Sequence, residues 1–77
     1  MIPVIRIFSL DRLVDESGVS GTGIIAHGVE FPDGQCVVWW SNHMTIGIYP
    51  NADAVDKIHG HGGKTRIIEC GVVEVKR

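Results

Sequence analysis

The spacing of apolar and polar residues changes several times along the chain, and each change marks an element. Between Pro3 and Val14, the residues Val4, Ile5, Ile7, Phe8 and Leu10 crowd together, with Arg6 set between two isoleucines. Branched and aromatic side chains in near-alternation predict a strand with one wet face. From Gly23 to Phe31 the alternation is cleaner. Ile25, His27, Val29 and Phe31 share one side, and Ile24, Ala26, Gly28 and Glu30 the other. The first set is expected to face the core, with His27 as a hydrogen-bonded core histidine. Phe31-Pro32-Asp33-Gly34-Gln35 predicts a three-residue hairpin, since Pro32 suits a type I turn and Gly34 the left-handed position that closes it. Gln35 to Ser41 returns as a third strand. Its adjacent Trp39 and Trp40 must point to opposite faces. One ring belongs to the core; the other belongs to a second core, an interface or a binding surface.

Met44 to Tyr49 alternates as a fourth strand, with Met44, Ile46 and Ile48 on one face, and Pro50 ends it. Asn51 then suits the N-cap of a short helix over 52–59, with Asp53 placed to favour the helix dipole. Val55, Ile58 and His59 give that helix one narrow stripe, and Gly60 stops it. Thr65 to Cys70 reads as a fifth strand, interrupted by Gly71, with Val72 to Val75 as a final short one. The order β-β-β-β-α-β predicts an α+β, mainly β fold. It would be a twisted antiparallel sheet or a small partly open barrel with one short helix. No repeat, linker or low-complexity tract divides residues 1–77, so a single small domain is expected.

Two segments fit no regular element. Asp15 to Gly23 reads D-E-S-G-V-S-G-T-G, three glycines among small hydroxyls. Such a composition leaves backbone N–H groups open and can curl into a nest for an anion. It is no Walker A loop, lacking the Lys-Ser/Thr pair, and no dinucleotide fingerprint, because a strand rather than a helix follows. The second segment, His59-Gly60-His61-Gly62-Gly63-Lys64-Thr65-Arg66, joins two imidazoles, two cations and a hydroxyl. Arg grips oxyanions bidentately and Lys adds a mobile charge. The alternative for both is structural: a β-connection needing left-handed angles, and a helix cap followed by a turn with solvated cations. The functional reading requires the two segments to converge.

Bulk properties narrow the classes. Seven basic and nine acidic residues give a net charge of −2, so no overall basic field draws nucleic acid. A hydrophobic fraction of 44% argues against disorder. A chain of 77 residues buries a modest core, for which oligomerisation is a usual remedy. Two cysteines, Cys36 and Cys70, are too few for a disulfide scaffold and read as core residues. No apolar run reaches the ~18–20 residues of a membrane span, and the N-terminus lacks signal-peptide character. A cytoplasmic location follows. The four histidines and two cysteines do not have zinc-site spacing, so no metal and no cofactor is expected. Candidate bases (His59, His61, Asp11, Asp15, Glu16) and nucleophiles (Ser17, Ser20, Thr22) exist, but no motif sets one beside the other.

Three strings resemble a known family: Arg12-Leu13-Val14-Asp15-Glu16-Ser17-Gly18-Val19-Ser20-Gly21-Thr22-Gly23, Gly28-Val29-Glu30-Phe31-Pro32-Asp33-Gly34, and Ile58-His59-Gly60-His61-Gly62-Gly63-Lys64-Thr65. They look like a family of short proteins of phage and bacterial genomes, and the likeness spans most of the chain. It carries no catalytic residue across. The resemblance implies a small stand-alone protein in a bacterial host's cytoplasm, of the sort that counters host defence by sequestering a nucleotide signal or by blocking a host protein. The leading expectation is a non-catalytic binding protein. Arg12, Ser17, Ser20, Gly21, Thr22, His59, His61, Lys64, Thr65 and Arg66 would hold a small anionic ligand, Trp40 or Tyr49 would stack on its ring, and a homo-oligomer would build the pocket. The alternatives are a protein–protein interaction module that inhibits a host protein, and a small hydrolase or lyase using His59 or His61 as base.

Overall fold

The computed structural model describes residues 2–14, 22–41 and 43–76. They form one open five-stranded antiparallel sheet with a single helix on one face. The strands are β1 (Val4–Arg12), β2 (Gly23–Glu30), β3 (Cys36–Trp40), β4 (Thr45–Tyr49) and β5 (Thr65–Glu74), in the order β4-β3-β2-β1-β5. The helix α1 (Ala52–His59) joins the two edge strands. These run parallel to each other, so a crossover rather than a hairpin must connect them.

Local chemistry builds these elements as the sequence predicts. In the β2–β3 hairpin, Gly34 takes a φ of 96° and its N–H donates to the Phe31 carbonyl at 2.9 Å. The Gln35 N–H donates to Asp33 Oδ1 at 2.9 Å, which holds the turn. Asn51 caps α1, its Oδ1 accepting the Ala54 N–H at 2.8 Å. Gly60 caps the other end, though in right-handed geometry, with its N–H donating to the Asp56 carbonyl at 2.6 Å.

The core lies between α1 and the sheet. It comprises Phe8, Leu10, Ile25, Ala26, Cys36, Val38 and Val55, with Trp40, Tyr49 and Ala52 packed around it. Register explains the set. Leu10 faces Ala26, which faces Trp40; Phe8 faces Gly28, which faces Val38. The helix-facing side of β2 is therefore Ala26 and Gly28, not the His27 and Val29 side that alternation favours. Two features reverse the expectation. A bulge at Ile25 shifts the parity of the strand, since Leu10 pairs with Ala26 and Asp11 with Ile24. Gly28, having no side chain, makes room for the Phe8 ring.

Three further expectations are corrected. The last two predicted strands are one, because nine-residue β1 pairs along the whole of β5 and absorbs the irregularity as a bulge at Cys70. That bulge leaves Cys70 exposed, whereas Cys36 is a buried core residue. Burial first, and then the Glu30 carboxylate, push the Cys36 thiol up from its ordinary value and keep it protonated. Met44 belongs to the β3–β4 turn, with a φ of 50°, so β4 begins at Thr45.

Candidate functional site

Three strand ends meet at one margin of the sheet. Arg12 closes β1 and pairs with Gly23 on one side and Thr65 on the other. Both glycine-bearing segments are thus anchored on neighbouring strands of the same chain. The chain leaving β1 is also tied to the second segment: the Leu13 and Val14 N–H groups donate to the Lys64 carbonyl at 2.6 and 3.3 Å. Arg12 Nε donates to Thr65 Oγ1 at 3.4 Å across the same margin. Ser17, Ser20 and Gly21 lie outside the described residues, as does the side chain of His61; Thr22 is exposed beside Gly23.

The second segment folds tightly because glycines fill its difficult positions. A 3-10 turn over His61–Gly63 takes φ values of 67° at Gly62 and 96° at Gly63, a region closed to most side chains. The buried Gly60 offers its carbonyl to the N–H groups of Gly63 at 3.1 Å and Thr65 at 2.9 Å. This double acceptance turns the chain from the helix end into β5 and sets Thr65, itself buried, against Arg12.

His59 sits at the junction between the turn and the core. Its Nε2 lies 2.7 Å from the Tyr49 hydroxyl, and its ring centroid lies 4.5 Å from that of Trp40. Tyr49 reaches it by lying across Gly47, where a Cβ would fall 2.5 Å from the phenolic oxygen. The two aromatics proposed to stack on a ligand therefore brace His59 from two sides and are half-buried. Tyr49→Phe removes one partly buried hydrogen bond, and a loss of about 0.5–1.5 kcal/mol is expected. Urea unfolding checks it: a lowered midpoint with an unchanged m-value is the anticipated result.

Not every expected residue joins this margin. Arg66 follows Thr65 on β5 and points to the opposite face, where its Nη2 meets Asp11 Oδ2 at 3.3 Å. Lys64 is exposed at the margin. A hollow of about 360 Å³ lies at the far end of the sheet, lined by Pro3, Val4, Arg6, Glu30, Phe31 and Pro32 among others. Its cation is already engaged, since Arg6 pairs with Glu30 at 3.5 Å and Glu69 at 2.9 Å.

Sequence reasoning missed a second group of residues, on the helix-free face. Ser9 Oγ lies 2.9 Å from His27 Nδ1 and 3.2 Å from Cys70 Sγ, and Trp39 stacks near His27 at 6.3 Å between centroids. His27 is hydrogen-bonded as expected but exposed rather than buried. The neighbouring tryptophans had to take opposite faces; strand pairing and exposure show that the outward ring is Trp39.

Among the described residues no helix is long and apolar enough to cross a membrane. No curated protein and no solved structure matches the chain. Residues 5–70 match a family model described as Acb5 phage protein.

Proposed function

The chain belongs to the Acb5 phage protein family, and from that premise we propose a phage-encoded, non-catalytic binding protein that sequesters a small anionic, nucleotide-like ligand in the host cytoplasm. The ligand's anionic part would lie at the margin formed by Arg12, Lys64 and Thr65. His59 would border it, and Ser17, Ser20, Gly21, Thr22 and His61 would complete it. Trp40 and Tyr49 would contribute the ring surface that His59 does not cover. Arg66, ion-paired on the other face, would take no part.

The observation that supports this reading is the tie between the chain leaving β1 and the second segment: the Leu13 and Val14 N–H groups both reach the Lys64 carbonyl. Arg12 and the Gly62-Gly63 turn are thereby held at one end of one chain. An anion there would meet a guanidinium, an ammonium and glycine-rich backbone, a combination suited to phosphate oxygens.

Thermal shift against a panel of linear and cyclic nucleotides tests it. Ligand at about a hundred times its Kd contributes about 2.7 kcal/mol. For a domain of this size that corresponds to a rise of roughly 10–20 °C. Arg12→Ala should lose most of the shift relative to its own ligand-free Tm, while Arg66→Ala should keep it. The ligand should be recovered intact by mass spectrometry. A flat response across the panel, or a consumed ligand, would overturn the proposal.

A further inference from the structure

The sheet has two faces and α1 covers one of them. The other carries Ile7 on β1, Val29 on β2, Val37 and Trp39 on β3, and Ile46 and Ile48 on β4. These side chains are unusually open for their type: Trp39 is 44% exposed, Ile46 67% and Ile48 72%. Between them runs a groove of about 270 Å³, lined by Ile7, His27, Gly28, Val29, Val37, Trp39 and Ile46. We propose that this face is covered by the same face of a second copy of the chain, giving a two-fold β-sandwich.

Area comes first. Five strands spaced ~4.8 Å apart, three of them about 30 Å long and two about 17 Å, present roughly 600 Å² in projection. Side-chain relief raises the accessible area above that figure, toward the ~800 Å² per partner of a standard stable interface.

Charge and shape select the occupant. Among the described residues, register places two charged side chains on this face, Asp11 and Arg66, and they pair with each other at 3.3 Å. No unmatched charge calls for a partner of opposite sign. Ser9 and His27 likewise satisfy each other. What is left is a pleated field of branched aliphatics and one indole, the relief that another sheet face interdigitates with at a spacing of ~10 Å. A two-fold axis supplies that relief from the chain itself. A domain with seven buried apolar residues among those described also needs its cover whenever it folds, and a second copy is present whenever the chain is made.

Light-scattering mass across a dilution series tests the proposal. Wild type is expected at twice the 8.4 kDa of the chain. Ile7→Lys and Ile46→Lys should each halve that mass while keeping the wild-type circular dichroism; if Ile7→Lys misfolds, Val73→Lys, half-exposed on the same face of β5, provides its test, and Ile48→Lys stands in for Ile46→Lys. Lys57→Glu, on the exposed surface of α1, should leave the mass unchanged. A wild type that is monomeric at its highest soluble concentration would overturn the inference. So would an oligomer that survives Ile7→Lys or Val73→Lys and yields only to substitutions on β4, because that result describes pairing through the sheet edge.

Discussion

Gly28→Ala is expected to lower the melting temperature by roughly 5–20 °C. The added Cβ would stand 2.5 Å from Phe8 Cζ, 2.7 Å from Phe8 Cε2 and 3.0 Å from the Val37 carbonyl oxygen. Phe8 is only 4% exposed and lies in the layer between sheet and helix, so its ring has nowhere to retreat without moving its neighbours. Overpacking of this kind costs about 1–3 kcal/mol. In a domain of this size each kcal/mol shifts the melting temperature by about 4–8 °C. The mechanism has its own control. Phe8→Leu shortens the offending ring, so the double variant Phe8→Leu/Gly28→Ala should be less unstable than the two single effects added together. Strict additivity would show that the Phe8 ring is not what Gly28 accommodates.

Val55→Asp is expected to abolish cooperative unfolding. Val55 is the one fully buried side chain of α1, at 0% exposure. It belongs to the apolar cluster between helix and sheet, and burying a carboxylate there costs several kcal/mol. The helix has eight residues, and isolated helices shorter than ~12–15 are marginal in water. Without its anchor α1 should leave the sheet and take His59 away from Trp40 and Tyr49. Val55→Ala keeps the site apolar and should cost only about 2 kcal/mol, by loss of packing. Near-ultraviolet circular dichroism, which reports on Trp40 and Tyr49, should collapse in the first variant and persist in the second. A native spectrum for Val55→Asp would mean that the helix is held by something other than this contact.

What the sequence revealed and what it concealed divide by range. The hairpin at Pro32-Asp33-Gly34, the helix from Ala52 to His59 and its Asn51 cap are set by neighbours a few residues apart, so their chemistry is readable in place. The outward side of β2 is a different matter. It depends on a bulge at Ile25 and on a phenyl ring from β1, neither of which leaves a trace in the alternation itself. The same holds for β5: Gly71 looks like a break until nine-residue β1 is laid beside it. Trp39 and Trp40 were bound to part company, but which ring met the helix waited on the pairing of β3 with β2. At the candidate site, the functional reading requires the two glycine-bearing segments to converge; residues 15–21 lie outside the described residues, and what stands side by side is Arg12 on β1 and Thr65 on β5. The separation of Arg66 from Thr65 follows from simple alternation along β5, which the clustering of charges in the sequence disguised.

The partnership of the first and last strands sets a timetable for biosynthesis. Arg12 meets a residue 53 positions later, and Arg6 one 63 positions later. As the chain emerges from the ribosome, β1 can zip to β2 early, but its other flank stays bare until β5 has been translated. Contacts this distant carry a large loop-closure penalty and make assembly slow. Chains stalled or cut short before β5 would therefore display an unpaired β1 edge, open to the wrong neighbour.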